Sequence, residues 1–192
     1  SLESKQQTGP EEGQNKCSSK GVGFVEEWRS WQDCLIIGGL LRGVPPGPMH
    51  IFCWNCRGAG KGATVRELRD FARQFTPTLL CVVGTQIEGA RVEALARMLG
   101  FDNSYVVSSQ GRSGGIGLFW NNSIKVEILG YYVYHLDVSV EEQDAEKWRM
   151  TCVYGEAQTH MRHHTWTALK NISTLSDLAW LCLGDFNEVL YP

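Results

Sequence analysis

From residue 49 onward, short apolar runs alternate with wider amphipathic stretches, and the two periods separate strands from helices. Residues 50–56 and 79–84 are apolar runs of strand length. Between them Val65, Leu68, Ala72 and Phe75 recur at helical spacing. Thr64 reads as the N-cap of that helix, Glu67 completes a capping box, and Pro77 is the stop. A second stripe, Val92, Leu95, Ala96 and Leu99, ends at Gly100. Short strands then follow in quick succession over 103–108, 115–120, 125–129, 132–140 and 149–154. Turn signals separate them, and 141–147 reads as a charged hairpin tip. Trp166, Leu169, Ile172 and Leu175 mark a third helix, and the run from Trp180 to Leu183 a last buried strand. Helices at both ends of the domain and a strand meander in its middle predict a mixed α/β fold with a largely buried sheet.

The first 48 residues have a different texture. Residues 1–20 are rich in Gln, Glu, Lys, Ser and Gly and read as disordered. Phe24, Trp28, Trp31 and Leu35 then give an amphipathic helical stripe over 24–37, which suits either a partner-docking helix or one packed on its own domain. Three prolines and two glycines between Gly43 and Pro48 make a linker, so the expected organisation is a leader over 1–48 and a folded domain over 49–192.

Composition narrows the function. A net charge of −3 and a pI near 6.0 argue against a general nucleic-acid binder, although a nuclease with a local basic surface is allowed. Seven cysteines, several inside apolar runs, fit buried free thiols in a reducing compartment rather than a disulfide framework. The longest apolar-plus-glycine run, from Cys34 to Leu41, is far shorter than the roughly 20 residues of a membrane span, so no membrane partner is expected.

Polar groups follow two of the predicted strands. Asp185 and Asn187, two residues apart beyond Gly184, would aim a carboxylate and an amide at one spot. Such a pair suits either a ligand site at a strand end or an Asx-type turn. Asn55 closes the run from Ile51 on the same face as Ile51 and Cys53. It reads as an amide for a phosphate or as a buried Asn satisfied by backbone. Cys53 and Cys56 have redox spacing, but Cys53 lies inside the apolar strand and is better read as packed. His160, His163 and His164 cluster without a nearby Cys or acid and read as a solvated helix start. His135 reads as a hydrogen-bonded core histidine.

Four segments in order carry a resemblance: Met49 to Gly58 (MHIFCWNCRG), Gly111 to Trp120 (GRSGGIGLFW), Cys152 to Gly155 (CVYG) and Cys182 to Leu190 (CLGDFNEVL). Together these resemble the endonuclease/exonuclease/phosphatase superfamily, and most nearly the endonuclease domain of plant LINE-type retrotransposons. The resemblance implies a two-sheet αββα sandwich and Mg²⁺-assisted hydrolysis, or nicking, of DNA phosphodiesters. It also implies roles. Asn55 is placed near metal and phosphate, Tyr154 in the active site, Asp185 on the attacking water and at the metal, and Asn187 on the scissile phosphate. Arg57, Lys61 and Arg112 flank the expected cleft and are candidates for phosphate contacts.

Two departures alter that expectation. The strand that should end in a metal-binding Glu has Gly84 there instead, and Glu88, four residues on, is a poor substitute. The family's closing Ser-Asp-His segment does not follow Asn187, so the second sheet is expected to be incomplete. The expected protein is therefore a degenerate, C-terminally truncated endonuclease domain with DNA as its ancestral substrate and little or no activity. The alternatives are a non-catalytic nucleic-acid-binding remnant and a transposon-derived product with no selected role.

Overall fold

The computed structural model describes residues 49–109 and 114–187, together with the backbone of 22–23 and 34–39. Ten strands and three α-helices follow in order. These are β1 (Val22–Gly23), β2 (Cys34–Gly39), β3 (His50–Asn55), α1 (Gly62–Phe75), β4 (Leu79–Val83), α2 (Gly89–Leu99), β5 (Asn103–Val107) and β6 (Ile116–Trp120). Then come β7 (Ile124–Tyr132), β8 (His135–Glu142), β9 (Trp148–Tyr154), α3 (His163–Ser173) and β10 (Trp180–Asp185). The first sheet runs β1-β2-β3-β4-β6-β5 and the second β10-β9-β8-β7.

Alternation along the strands explains the layering. In β3 and β4, Ile51, Cys53, Leu79, Cys81 and Val83 face one way and meet Leu136, Val138, Val140, Met150 and Cys152 of the second sheet. Their neighbours Phe52, Trp54, Leu80 and Val82 face the other way, onto Leu68 and Phe71 of α1 and Val92, Leu95 and Ala96 of α2. The first sheet is thus apolar on both faces, as its near-continuous hydrophobic runs require. Helix α3 covers the far face of the second sheet through Leu169 and Ile172 against Val153. Helices, sheet, sheet and helix make the expected α/β sandwich.

Under α3 the second sheet buries charge. Arg149 is 1% exposed and places two of its nitrogens on the Asp137 carboxylate, the shortest contact at 2.6 Å. Thr151 donates to the same carboxylate, and a third guanidinium nitrogen caps the carbonyl of Ile172 at 2.9 Å. Trp180 lies beneath the guanidinium, 5.5 Å from its ring centre. Every polar group of the cluster finds a partner, which is the condition for a buried pair to be tolerated.

Several expectations need correction. Helix α1 starts two residues before Thr64, with Lys61 at the N-cap position and no side-chain cap; the Lys61 carbonyl already accepts the Val65 amide. The helix stripe expected over 24–37 lies mostly outside the described residues, but from Cys34 the chain is strand, paired antiparallel with β3. Three consecutive apolar residues, Leu35 to Ile37, suit a sheet strand better than one face of a helix. Strand β7 continues to Tyr132, past the expected end at 129, because a bulge between Ile128 and Gly130 absorbs the register shift. In α3 the buried face is Thr165, Leu169 and Ile172; Trp166 sits at the rim and Leu175 lies beyond the helix, exposed.

Candidate active site at the seam of the two sheets

Strands β3 and β4 are parallel, with Asn55 opposite Val83, and so are β9 and β10, with Asp185 opposite Tyr154. The C-terminal ends of all four strands meet at one edge of the sandwich. Asn55, Gly84, Tyr154 and Asp185 are therefore brought together from four separate segments.

The contact that ties them is between the two sheets. The Asn55 amide Nδ2 donates to Asp185 Oδ2 at 2.6 Å. Its Oδ1 accepts the backbone N–H of Arg57 at 3.1 Å, which fixes the orientation of the amide. Asp185 Oδ1 accepts the backbone N–H of Asn187 at 2.8 Å. Both carboxylate oxygens are thus engaged, each with one lone pair left for a water or a ligand. Tyr154 is half-buried beside them. Burial, and then the Asp185 charge, push its phenol above the usual range, while Arg57 opposes.

Asn187 is placed differently from the alternation argument. Asp185 is the last strand residue, and Asn187 turns back with φ 50°. Its side-chain Nδ2 donates to the Gly155 carbonyl at 2.5 Å. The Asx-type turn and the strand-end pair are therefore both present: Asp185 faces the seam, and Asn187 locks the backbone that presents it. The turn crosses β9 so closely that a Cβ on Gly155 would lie 2.4 Å from the Phe186 carbonyl oxygen.

Gly84 has φ 64°, in the left-handed region, and a Cβ built there would stand 2.6 Å from Asn55 Oδ1 and 3.2 Å from Tyr154 Cε2. Asn55 and Tyr154 therefore fill the space that a side chain at this position would need. Asp185 is the one carboxylate at this contact, and among the described residues no three His, Cys, Asp or Glu side chains are grouped to hold a metal. Of the two expected metal ligands, Asp185 keeps one lone pair on each hydrogen-bonded oxygen, and the Asn55 amide oxygen accepts from Arg57. A divalent ion held here would have Asp185 as its one carboxylate among the described residues, the low end of the one or two that Mg²⁺ takes.

The remaining expected residues divide. Arg57 (φ 42°) lies close enough to act on Tyr154. Lys61 is exposed at the start of α1, and Glu88 is exposed at the start of α2. Arg112 lies outside the described residues. The histidines at 160, 163 and 164 are exposed around the start of α3, as expected. Cys53 and Cys56 are buried; Cys56 Sγ donates to the Val83 carbonyl at 3.2 Å, and burial pushes its thiol up to about 11. They are packed thiols. His135, expected to be hydrogen-bonded, has a buried Nδ1 with no partner among the described residues.

Sequence reasoning missed a cleft of about 210 Å³ next to Tyr154, lined by Ser108, Gly114, Gly115, Tyr134, Gly155 and Glu156 among others. The Tyr134 hydroxyl donates to Glu156 Oε2 at 2.8 Å, and the Gln158 backbone N–H to Oε1 at 3.1 Å. The hydrogen bond to Glu156 pushes the Tyr134 phenol up to about 12, and the Gln158 N–H is first among the causes holding Glu156 below the usual carboxylate range. Nothing local signals this pair, since the two residues are 22 apart and meet only when β8 pairs β9. Thr85 was likewise missed: it is fully buried next to Gly84, and its hydroxyl has no partner among the described residues.

The profile of the Endonuclease/Exonuclease/phosphatase family matches residues 52–190. No curated protein matches the chain. Among solved structures, the catalytic domain of human Nocturnin, with a bound sulfate anion, superposes with a TM-score of 0.55 at 14% identity. The match covers 73% of this chain and 64% of Nocturnin's. TDP2 of D. rerio, complexed with a single-strand DNA product, gives 0.55 at 18% identity over 73% of this chain and 61% of its own. The 3′ phosphatase NExo of Neisseria, bound to a product DNA hairpin, gives 0.52 at 14% over 72% and 58%. The chain thus spans roughly three fifths of the length of these structures, and at such identities the likeness concerns the fold.

Proposed function

The chain belongs to the endonuclease/exonuclease/phosphatase family, and from that premise we propose that it is a degenerate LINE-type endonuclease domain. It holds DNA at the seam of its two sheets and nicks the phosphodiester backbone slowly or not at all. The observation that carries this reading is Gly84. Its place at the end of β4, beside Asn55, Tyr154 and Asp185, is where the resemblance calls for a metal-binding Glu, and the space is closed by Asn55. Two solved structures of the same fold hold DNA products, which supports DNA as the ligand class.

The residues at the seam can still do part of the work. The free lone pairs of Asp185 can orient a water. The phenol of Tyr154, protonated at neutral pH, can donate to a phosphate oxygen. A divalent ion, where bound in this family, would stabilise charge on the phosphate. Among the described residues the seam supplies Asp185 and no second carboxylate to hold it. Binding and orientation persist while the stabilisation of developing charge is reduced.

The test is nicking of supercoiled plasmid with Mg²⁺, alongside salt-dependent DNA retention. The expected result is retention by the chain with no nicking above the Asp185→Ala variant. Robust nicking by the unaltered chain that Asp185→Ala abolishes would overturn the inactive reading, and absence of retention would overturn the DNA reading. A reverse-transcriptase reading frame downstream in the genomic sequence would establish the LINE origin; its absence there would count against it.

A further inference from the structure

We propose that the cleft between Tyr134 and Tyr154 is a nucleobase pocket, which takes an unpaired base next to the seam and selects bases that present an exocyclic amino group. This rests on the reading of the chain as a DNA-binding member of its family and specifies which part of the strand the second cleft receives.

Tyr134 and Tyr154 stand on neighbouring backbone, since the Tyr154 N–H donates to the Tyr134 carbonyl at 2.9 Å. Tyr134 is held in place by the edge of Tyr132, with ring centres 5.9 Å apart, and by its bond to Glu156. Gly114, Gly115 and Gly155 add walls without side chains. Aromatic rings beside a narrow glycine-walled space suit a flat ring better than a tetrahedral phosphate, and base stacking on aromatic side chains is the common way to hold unpaired nucleotides.

Charge differs between the two regions. At the seam the Arg57 cation acts on Tyr154 beside Asp185, whereas in the cleft the Glu156 carboxylate repels phosphate and is kept ionised by the Gln158 N–H and the Tyr134 hydroxyl. Tyr134 directs its proton at Glu156, so its oxygen offers only lone pairs to a ligand. The Tyr134–Glu156 side of the cleft therefore presents acceptors. A carboxylate acceptor matches the N4 amino group of cytosine and mismatches the O4 carbonyl that replaces it in uracil. Tyr154 borders both regions: its ring approaches Gly84 on one side and lines the cleft on the other. A nucleotide can thus lay its phosphate at the seam and its base in the cleft.

The experiment compares two single-stranded decamers, one of deoxycytidine and one of deoxyuridine, which differ at the C4 substituent. Binding of each to the full chain is read by fluorescence anisotropy at low salt. The expected result is a preference for deoxycytidine of about tenfold in Kd, the scale of one good base contact. Glu156→Gln, whose amide offers a donor as well as an acceptor, should bring the ratio to within about twofold. Tyr134→Phe, which keeps the ring and removes the hydroxyl anchoring Glu156, should reduce the ratio through a second residue and carries the test if Glu156→Gln does not fold. Equal affinity for both decamers in the unaltered chain overturns the pocket and leaves DNA binding standing. A ratio unchanged in a folded variant also overturns it. Failure to bind either strand overturns the DNA reading together with it.

Discussion

The side-chain amide of Asn55 donates to the carboxylate of Asp185 at 2.6 Å, joining the last residue of a strand in one sheet to the last residue of a strand in the other. This bond orients both groups, and its loss should be measurable as stability. Asn55→Ala should cost about 1–2 kcal/mol, at the lower side of hydrogen bonds to charged groups because the pair is only half-buried. In a double-mutant cycle with Asp185→Asn, read by urea denaturation, the effects should couple. Additivity within about 0.3 kcal/mol would show that the two groups do not act as a unit.

Gly84 should resist substitution. Gly84→Ala places a Cβ against Asn55 Oδ1 and forces a non-glycine residue to φ 64°, at a cost of about 1–3 kcal/mol. The same contact predicts that Gly84→Glu alone does not create robust nicking, since the new side chain displaces the amide that orients Asp185. Asn55→Ala should relieve part of the Gly84→Ala penalty. A Gly84→Ala protein that melts with the unaltered chain would refute this account.

The buried ion pair gives the largest predicted effect. Arg149→Met leaves the Asp137 carboxylate 3% exposed with its main partner gone, and should cost about 3–5 kcal/mol by chemical denaturation. Replacing both, Asp137→Leu with Arg149→Met, should recover most of that loss, because no charge is then stranded. Equal instability of the single and double variants would indicate that packing around Trp180, rather than charge, dominates.

His135 sets a pH dependence near neutrality. Burial holds its imidazole below 6.5, against the opposing pull of Asp137. The unfolded chain binds this proton more readily than the folded one, so stability falls as pH drops through 6.5 toward the lower folded value. The unpartnered Nδ1 has no acceptor to stabilise the charged form. Thermal melts at pH 7.5 and 5.5 should show a drop that shrinks in His135→Gln. Glu156 and Glu127, both held below 4.5, act only at more acid pH. An identical drop in both proteins would place its origin elsewhere.

How much of this was legible in sequence depends on how local the cause is. The apolar runs around Ile51, Leu80 and Cys182 and the stripe from Val92 to Leu99 specify their elements directly, because burial imposes their periods. Asp185 was legible because a carboxylate after an apolar run and a glycine has few other uses. Asn187 takes the Asx-turn alternative rather than a shared strand face, because alternation stops where the strand stops. Thr64 was misread because the first helical hydrogen bond closes on Lys61, a backbone event that side-chain preference does not report. The Tyr134–Glu156 and Asp137–Arg149 pairs were not legible at all. Each depends on the pairing of β8 with β9, and a one-residue slip would turn Asp137 or Arg149 to the opposite face.

The bond between Asn55 and Asp185 also fixes when the site can exist. Its two residues are 130 apart in the chain, whereas the partners in the β7–β8 and β8–β9 hairpins are separated by far fewer. Closing a longer loop carries a larger entropy loss, so hairpins form ahead of contacts between distant strands. Loop entropy alone thus orders the seam after the hairpins. A chain caught partway through folding would carry formed hairpins and helices while its carboxylate still pointed nowhere in particular.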